Sequence, residues 1–140
     1  MTAVYDRPVR FEDVDAANIV FFGRFFGYCH EAMETLFERE LEGGYVNLIT
    51  KRRIGFPAVH VECDFKHPLR YGDVARIATT LERIGNKSCT FRYAITRASD
   101  GESIASIRHV CAVSDLTALK AIAIPVDVRA AMERHLTAPA

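Results

Sequence analysis

Three carboxylates, Glu12, Asp13 and Asp15, fall within four residues, and an apolar run begins almost at once behind them. Carboxylates serve as general bases and as nucleophiles near neutral pH. The apolar positions that follow, Phe22, Phe25, Phe26, Cys29, Ala32, Met33, Leu36, Phe37 and Leu41, recur at steps of three and four. That period predicts a long helix with one wide buried face. The first N–H groups of a helix lack partners, and the dipole there favours negative charge. A carboxylate beside such donors could serve a reaction that develops an oxyanion. Clustered carboxylates are also what an ordinary solvated loop looks like, and spacing alone does not separate the two readings.

Other titratable groups are weaker candidates. His30, Glu31 and Glu34 form an H-E-x-x-E string on the polar side of the helix. The i, i+4 spacing can hold a metal, but the zinc pattern needs a second histidine at that place, so no metal site is expected. A polar helix face or an orienting role beside a pocket fits His30 better. His60 and His109 sit inside alternating runs and read as structural. His67, beside Pro68 in a turn, is a candidate ligand contact. Cys29, Cys63, Cys89 and Cys111 are scattered over apolar positions, without a CxxC or a close Cys/His pairing. They read as buried free thiols.

These groups must be positioned by a chain of 140 residues, a length that suits one domain spanning residues 1–140 around a single core. Eighteen basic and eighteen acidic residues cancel, which leaves no field to steer nucleic acid or a charged membrane surface. No apolar run approaches the ~20 residues that span a bilayer, and the N-terminus lacks the apolar segment of a secretory signal. A cytoplasmic location is expected.

In chain order, residues 3–11 predict a first strand, pushed toward a sheet edge by Pro8. The acidic loop and long helix follow, and Gly43-Gly44 stops the helix. Residues 45–52 predict one or two further helical turns. From Ala58 the period drops to two, with Val59, Val61, Cys63 and Phe65 on one side of a half-buried strand. Residues 67–73 predict a turn carrying Pro68 and Gly72. Strands are predicted over 74–84, with Ala75, Ile77, Thr79 and Leu81 inward, and over 88–97, with Cys89, Phe91, Tyr93 and Ile95 inward. A Gly85-Asn86 hairpin joins them. A long strand over 103–115, a short one over 120–125 and a helix over 126–136 complete the chain. One long helix against an antiparallel meander is an α+β fold. The sheet's edge and outer face still need covering, so a homodimer with a sheet continuous across it, and beyond it a homotetramer, is expected.

The string from Phe11 to Phe22, FEDVDAANIVFF, resembles the active-site loop of the hot-dog-fold acyl-CoA thioesterases, most nearly the 4-hydroxybenzoyl-CoA thioesterase type. That motif reads roughly F-x-D-x-D-P-x-G-I-V ahead of aromatics and the long helix. The resemblance continues through the turn at 65–73 and the Lys87-Ser88 pair. Two positions depart from it. The family's proline is Ala16 here, which leaves the loop less rigid. Its glycine is Asn18, and asparagine tolerates left-handed backbone better than most residues.

The resemblance implies a hot-dog fold, an antiparallel sheet wrapped around one central helix, and hydrolysis of an aroyl- or other acyl-CoA to free acid and CoA. It implies Asp15 as nucleophile or general base and the backbone N–H of Phe22 as oxyanion donor, with Glu31 or Glu34 in reserve for the carboxylate. Asn18, Ile19, Phe21, Phe25, His30 and His67 would contact substrate, and Lys87 and Ser88, with Arg70, would face the CoA phosphates and pantetheine. These last contacts could come from a neighbouring chain. No separate cofactor is implied, since CoA belongs to the substrate. Two rivals remain: a non-catalytic acyl-CoA-binding module, for which Ala16 and Asn18 are the features, and a hot-dog dehydratase or hydratase, which would need a histidine paired with a carboxylate at the site.

Overall fold

A computed structural model of the protein describes residues 2–137. Strand β1 covers Ala3–Pro8 and ends earlier than expected, because Phe11–Asp13 coil into a single 3-10 turn. Helix α1 spans Arg24–Glu40, and its start lies two residues beyond the first apolar position of the stripe. Phe21–Gly23 form the turn that leads in, with Arg24 N–H donating to the Phe21 carbonyl at 2.9 Å. The stripe works as read: Phe25, Cys29, Ala32, Met33, Leu36 and Phe37 are all buried. Gly43, at φ 78°, turns the chain into α2, Gly44–Thr50.

Strands β3 (Ala58–Phe65), β4 (Val74–Ile84), β5 (Ser88–Arg97) and β6 (Ser103–Ala112) join β1 in an antiparallel sheet ordered β1-β4-β5-β6-β3. α1 lies against the face carrying Ile77, Leu81, Phe91, Tyr93, Ile95 and Ile107, all fully buried. Here the structure corrects the meander. Only β4, β5 and β6 are consecutive neighbours; β3 pairs with β6 at the far edge. The connection 66–73 therefore crosses the end of the sheet, where Leu69 is fully buried beneath it.

Two further expectations fail. β3 is not half-buried: Val59, Val61 and Phe65 are 63, 41 and 50% exposed, and only Cys63 is partly covered. Its apolar side stays open because it lines a trough that α1 does not close in the lone chain, with Val61 beside Cys29 and the Phe65 ring 5.5 Å from that of Phe25. The long last strand also splits. β6 stops at Ala112, and Ser114–Asp115 (β7) turn away to pair with Ile54–Gly55 (β2) and Lys120–Ala121 (β8) in a small second sheet. Helix α3 spans Val126–Glu133, three residues short of the expected end. The cysteines carry free thiols, three of them buried. No helix among the described residues is long and apolar enough to cross a membrane.

Candidate active site

The acidic loop is a small hairpin, and the sequence dictates its shape locally. Asp15 N–H donates to the Ile19 carbonyl at 3.0 Å, and Asn18 N–H donates back to the Asp15 carbonyl at 2.9 Å. Asn18 takes φ 61°, the left-handed geometry that asparagine tolerates. The Asp15 side chain caps the turn through Oδ1, which accepts from Ala17 N–H at 2.9 Å. On leaving the hairpin, Val20 N–H donates to the Leu69 carbonyl at 2.8 Å, which ties the loop to the connection crossing the sheet end.

The second carboxylate holds this assembly. Asp13 is buried, and its Oδ2 accepts from Arg7 Nη1 (3.0 Å), Tyr28 Oη (2.8 Å) and Arg10 N–H (2.8 Å). Burial pushes its carboxyl up, but those hydrogen bonds and the charges of Arg7 and Arg24 outweigh it and hold it below the ordinary carboxylate value. Asp13 is thus structural, and Asp15 is left exposed at the surface of the cleft.

That cleft, about 400 Å³, lies between the loop, the first turn of α1 and the start of the crossing connection. It brings together Asp15, Ile19, Phe21, Phe22, Phe25 and His67. Val20, Phe65, Lys66 and Pro68 complete its lining, and of these Phe65 was expected only on the apolar side of a half-buried strand. Lys66 adds a cation at the rim, and its place beside His67 in the turn was the available signal. His67 Nδ1 lies 3.0 Å from the Ser103 carbonyl and 2.8 Å from Glu102 Oε1, both acceptors, which places its proton on Nδ1. The N–H groups of Phe22 and Gly23 have no acceptor among the described residues, whereas Phe21 N–H is taken by the Asp13 carbonyl at 3.0 Å. Asp15 and Phe22, whose N–H has no acceptor among the described residues, thus line one largely apolar cleft, a set suited to attack on a carbonyl carbon.

Other candidates fall elsewhere. Arg70 bridges Ile19 through the backbone and its N–H binds Asp73, so it borders the cleft without lining it. Asn18 shapes the hairpin tip. His30 lines a separate hollow, and its Nδ1 lies 3.9 Å from Glu34 Oε1. That is the histidine–carboxylate pair a dehydratase would need, and it stands outside the Asp15 cleft. Glu31 is engaged by Tyr5 Oη (2.8 Å) and Arg7 Nε (3.1 Å), so neither reserve carboxylate lines the cleft. Lys87 and Ser88 sit in the β4–β5 turn, at the opposite end of the strands from the cleft, roughly 30 Å away along β5. His60 is exposed and pairs with Glu62 at 2.8 Å. His109 has a thiol neighbour after all, with Nε2 3.3 Å from Cys111 Sγ.

Residues 9–132 match the family model described as the thioesterase-like superfamily. The chain belongs to this superfamily, and its fold is the hot-dog fold. A relative named 1,4-dihydroxy-2-naphthoyl-CoA hydrolase, from Nostoc punctiforme, is 38% identical over 114 residues, which cover 79% of this chain and 74% of the relative. The crystal structure of a 1,4-dihydroxy-2-naphthoyl-CoA thioesterase from Synechocystis superposes with a TM-score of 0.84 at 27% identity, over 94% of this chain and 96% of the other. A gentisyl-coenzyme A thioesterase superposes with a TM-score of 0.81 at 29% identity, over 92 and 98% of the two chains. The chain is a thioester hydrolase, the activity that the names of these relatives carry.

Proposed function

We propose that the protein hydrolyses an aroyl-CoA thioester to the aromatic acid and CoA. The observation that carries this reading is the cleft lined by both the exposed Asp15 and Phe22, whose N–H has no acceptor among the described residues. Asp15 takes a proton from water as the water attacks the thioester carbon. The carbonyl oxygen becomes an oxyanion against the Phe22 N–H, and the tetrahedral intermediate collapses with departure of the CoA thiolate. The aromatic side chains of the cleft suit a planar acyl group, and the substrates named for the relatives, dihydroxynaphthoyl and gentisyl thioesters, support an aromatic acid. A 4-hydroxybenzoyl group belongs to the same chemical class.

Lys66, His67 and Arg70 of the cleft rim face the phosphates of CoA. Lys87 and Ser88 reach them from a second copy. β3 is an unpaired edge with an exposed apolar side, and antiparallel pairing of two β3 strands about a two-fold axis sets the Ala58 end of one copy beside the Phe65 end of the other. Pro57, Ala112 and Lys87 are hydrogen-bonded neighbours at the Ala58 end, with Ala112 N–H to the Pro57 carbonyl at 3.0 Å and Val113 N–H to the Lys87 carbonyl at 2.8 Å. A homodimer therefore carries each Lys87 turn toward the other copy's cleft.

The test is thiol release from 1,4-dihydroxy-2-naphthoyl-, gentisyl-, 4-hydroxybenzoyl- and a medium-chain acyl-CoA, wild type beside Asp15→Asn. Wild type is expected to cleave the aroyl esters and the variant to lose at least about a hundredfold in rate. Equal rates in both proteins would remove Asp15 from the mechanism, and CoA esters that bind without thiol release would make the chain a binding module.

A further inference from the structure

A second hollow of about 210 Å³ lies further along the trough between α1 and β3 that also holds the Asp15 cleft. Along α1 the lining passes from Phe25 to Cys29, one turn or ~6 Å, and along β3 from Phe65 to Val61. Its walls are nearly all apolar, yet its floor holds Tyr93. That side chain is 1% exposed, and its hydroxyl has no hydrogen-bond partner among the described residues. The ring is fixed by stacking on Phe91, with centroids 5.9 Å apart and planes at 11°, and by His109 at 6.2 Å. A buried hydroxyl without a partner is costly, and one closed beneath the floor of a hollow with room for one ring, beside His30 and His109 in the lining, marks a place that a ligand's polar atom can complete. A cavity of about 150 Å³ is enough to hold benzene.

We infer that this hollow receives the ring of the aroyl group and that the Tyr93 hydroxyl hydrogen-bonds a ring hydroxyl remote from the thioester carbon, making Tyr93 a specificity-determining residue. The inference rests on the aroyl-thioesterase reading. Burial pushes the Tyr93 phenol well above its ordinary value, so it is a neutral hydroxyl, able to donate or accept, throughout the working range. A site built to bond a hydroxyl rejects the analogue that lacks it far more strongly than an apolar pocket rejects a missing methylene.

The experiment compares 1,4-dihydroxy-2-naphthoyl-CoA with 1-hydroxy-2-naphthoyl-CoA, which differ only in the remote hydroxyl, on wild type and Tyr93→Phe. In wild type, kcat/KM for the dihydroxy ester is expected to be at least about tenfold higher. In Tyr93→Phe the preference falls to about threefold or less, while the monohydroxy ester is turned over as before. The melting temperature of the free variant should be unchanged or higher, since the hydroxyl removed had no partner to lose. No preference in wild type, or an undiminished one in the variant, overturns the inference and leaves the thioesterase reading standing. Calorimetric binding of the two free acids separates the two failures. If no ester releases thiol but wild type favours the dihydroxy acid and Tyr93→Phe does not, the hydrolase reading fails and the subsite stands. If neither protein distinguishes the acids, the subsite falls as well.

Discussion

The main-chain N–H of Phe21 donates to the carbonyl of Asp13 at 3.0 Å, while the carboxylate of the same Asp13 is closed in by Arg7 and Tyr28. One residue thus fixes the acidic loop to β1 and α1 through its side chain and, through its backbone, holds the turn that carries the Phe22 N–H. Arg24 adds a second clasp, with Nη2 donating to the Glu12 carbonyl at 3.2 Å. The order of the two aspartates then has a physical meaning: the buried one positions the loop, and the exposed one is left open to the cleft.

Asp13→Ala is expected to destabilise the fold by about 3 to 5 kcal/mol, because it leaves Arg7 partly buried without its closest carboxylate. Asp13→Asn, which keeps the shape and loses the charge, should cost less and still lower kcat more than it alters KM. Urea unfolding beside thiol-release kinetics checks both. An Asp13→Ala protein with wild-type stability and rate would remove its positioning role.

The same carboxylate sets a pH dependence. Its pKa in the folded chain lies below the ordinary 3.8, so the folded state binds the proton less readily than the unfolded state does. Its contribution is complete above the unfolded value and is lost as pH falls through the folded one. The stability difference between wild type and Asp13→Asn should therefore be constant above about pH 5 and shrink below about pH 4. Unfolding curves of both proteins across that range measure it, and a difference that grows on acidification would reverse the sign of the argument.

The hairpin offers a gain. Ala16 occupies the second position of the turn closed by Asn18 N–H on the Asp15 carbonyl, a position that favours proline. Ala16→Pro is expected to stabilise by about 0.4 to 1 kcal/mol with thiol release retained. At the fourth position of that turn, Asn18→Gly should be nearly neutral, whereas Asn18→Val, forced to positive φ, should cost about 1 to 2 kcal/mol. Thermal melts of the three variants rank them.

The residues explain how much of this was legible. Asp15, Ile19, Phe21, Phe22 and Phe25 are close in sequence, so one motif and one helical period placed them together. β4 and β5 alternate over ten or more residues, and their inward faces were read correctly. β3 alternates as well, but alternation reports that one side is apolar and not that the same chain covers it. The order β1-β4-β5-β6-β3 depends on pairings distant in sequence, which local pattern does not encode. Lys87 and Ser88 were assigned to a CoA site by motif, and a motif carries no record of which copy it serves. The subsite at Tyr93 was invisible because a tyrosine on an inward strand face reads as core until its hydroxyl is seen to lack a partner.

The exposed edge leads to an assembly prediction. Light scattering at micromolar concentration should give at least a dimer. Val59→Lys, at a position already 63% exposed in the lone chain, should shift the protein toward monomer with little effect on the fold of each copy. On the proposed assignment of Lys87 to the other copy's cleft, KM for CoA esters should rise as the dimer dissociates. A wild-type monomer, or a monomeric variant with unchanged KM, would separate the site from the edge.

The role of Asp15 itself is open to a direct reading. Its Oδ1 is held by Ala17 N–H at 2.9 Å, and Oδ2 has no protein partner among the described residues. As nucleophile, that oxygen would form a mixed anhydride, and a second group would then have to activate the water that opens it. Asp15 is the one carboxylate lining the cleft, and the proton of His67 is committed to Glu102 and Ser103 through Nδ1. Asp15 must therefore remain available to handle water, which favours the general-base route. A single turnover in H2(18)O, with enzyme in excess over substrate, should place the label in the released acid and none in the Asp15 peptide by mass spectrometry. Label in that peptide would establish the anhydride and assign the activation of water to His67 Nε2, the other titratable group of the cleft with a nitrogen to spare.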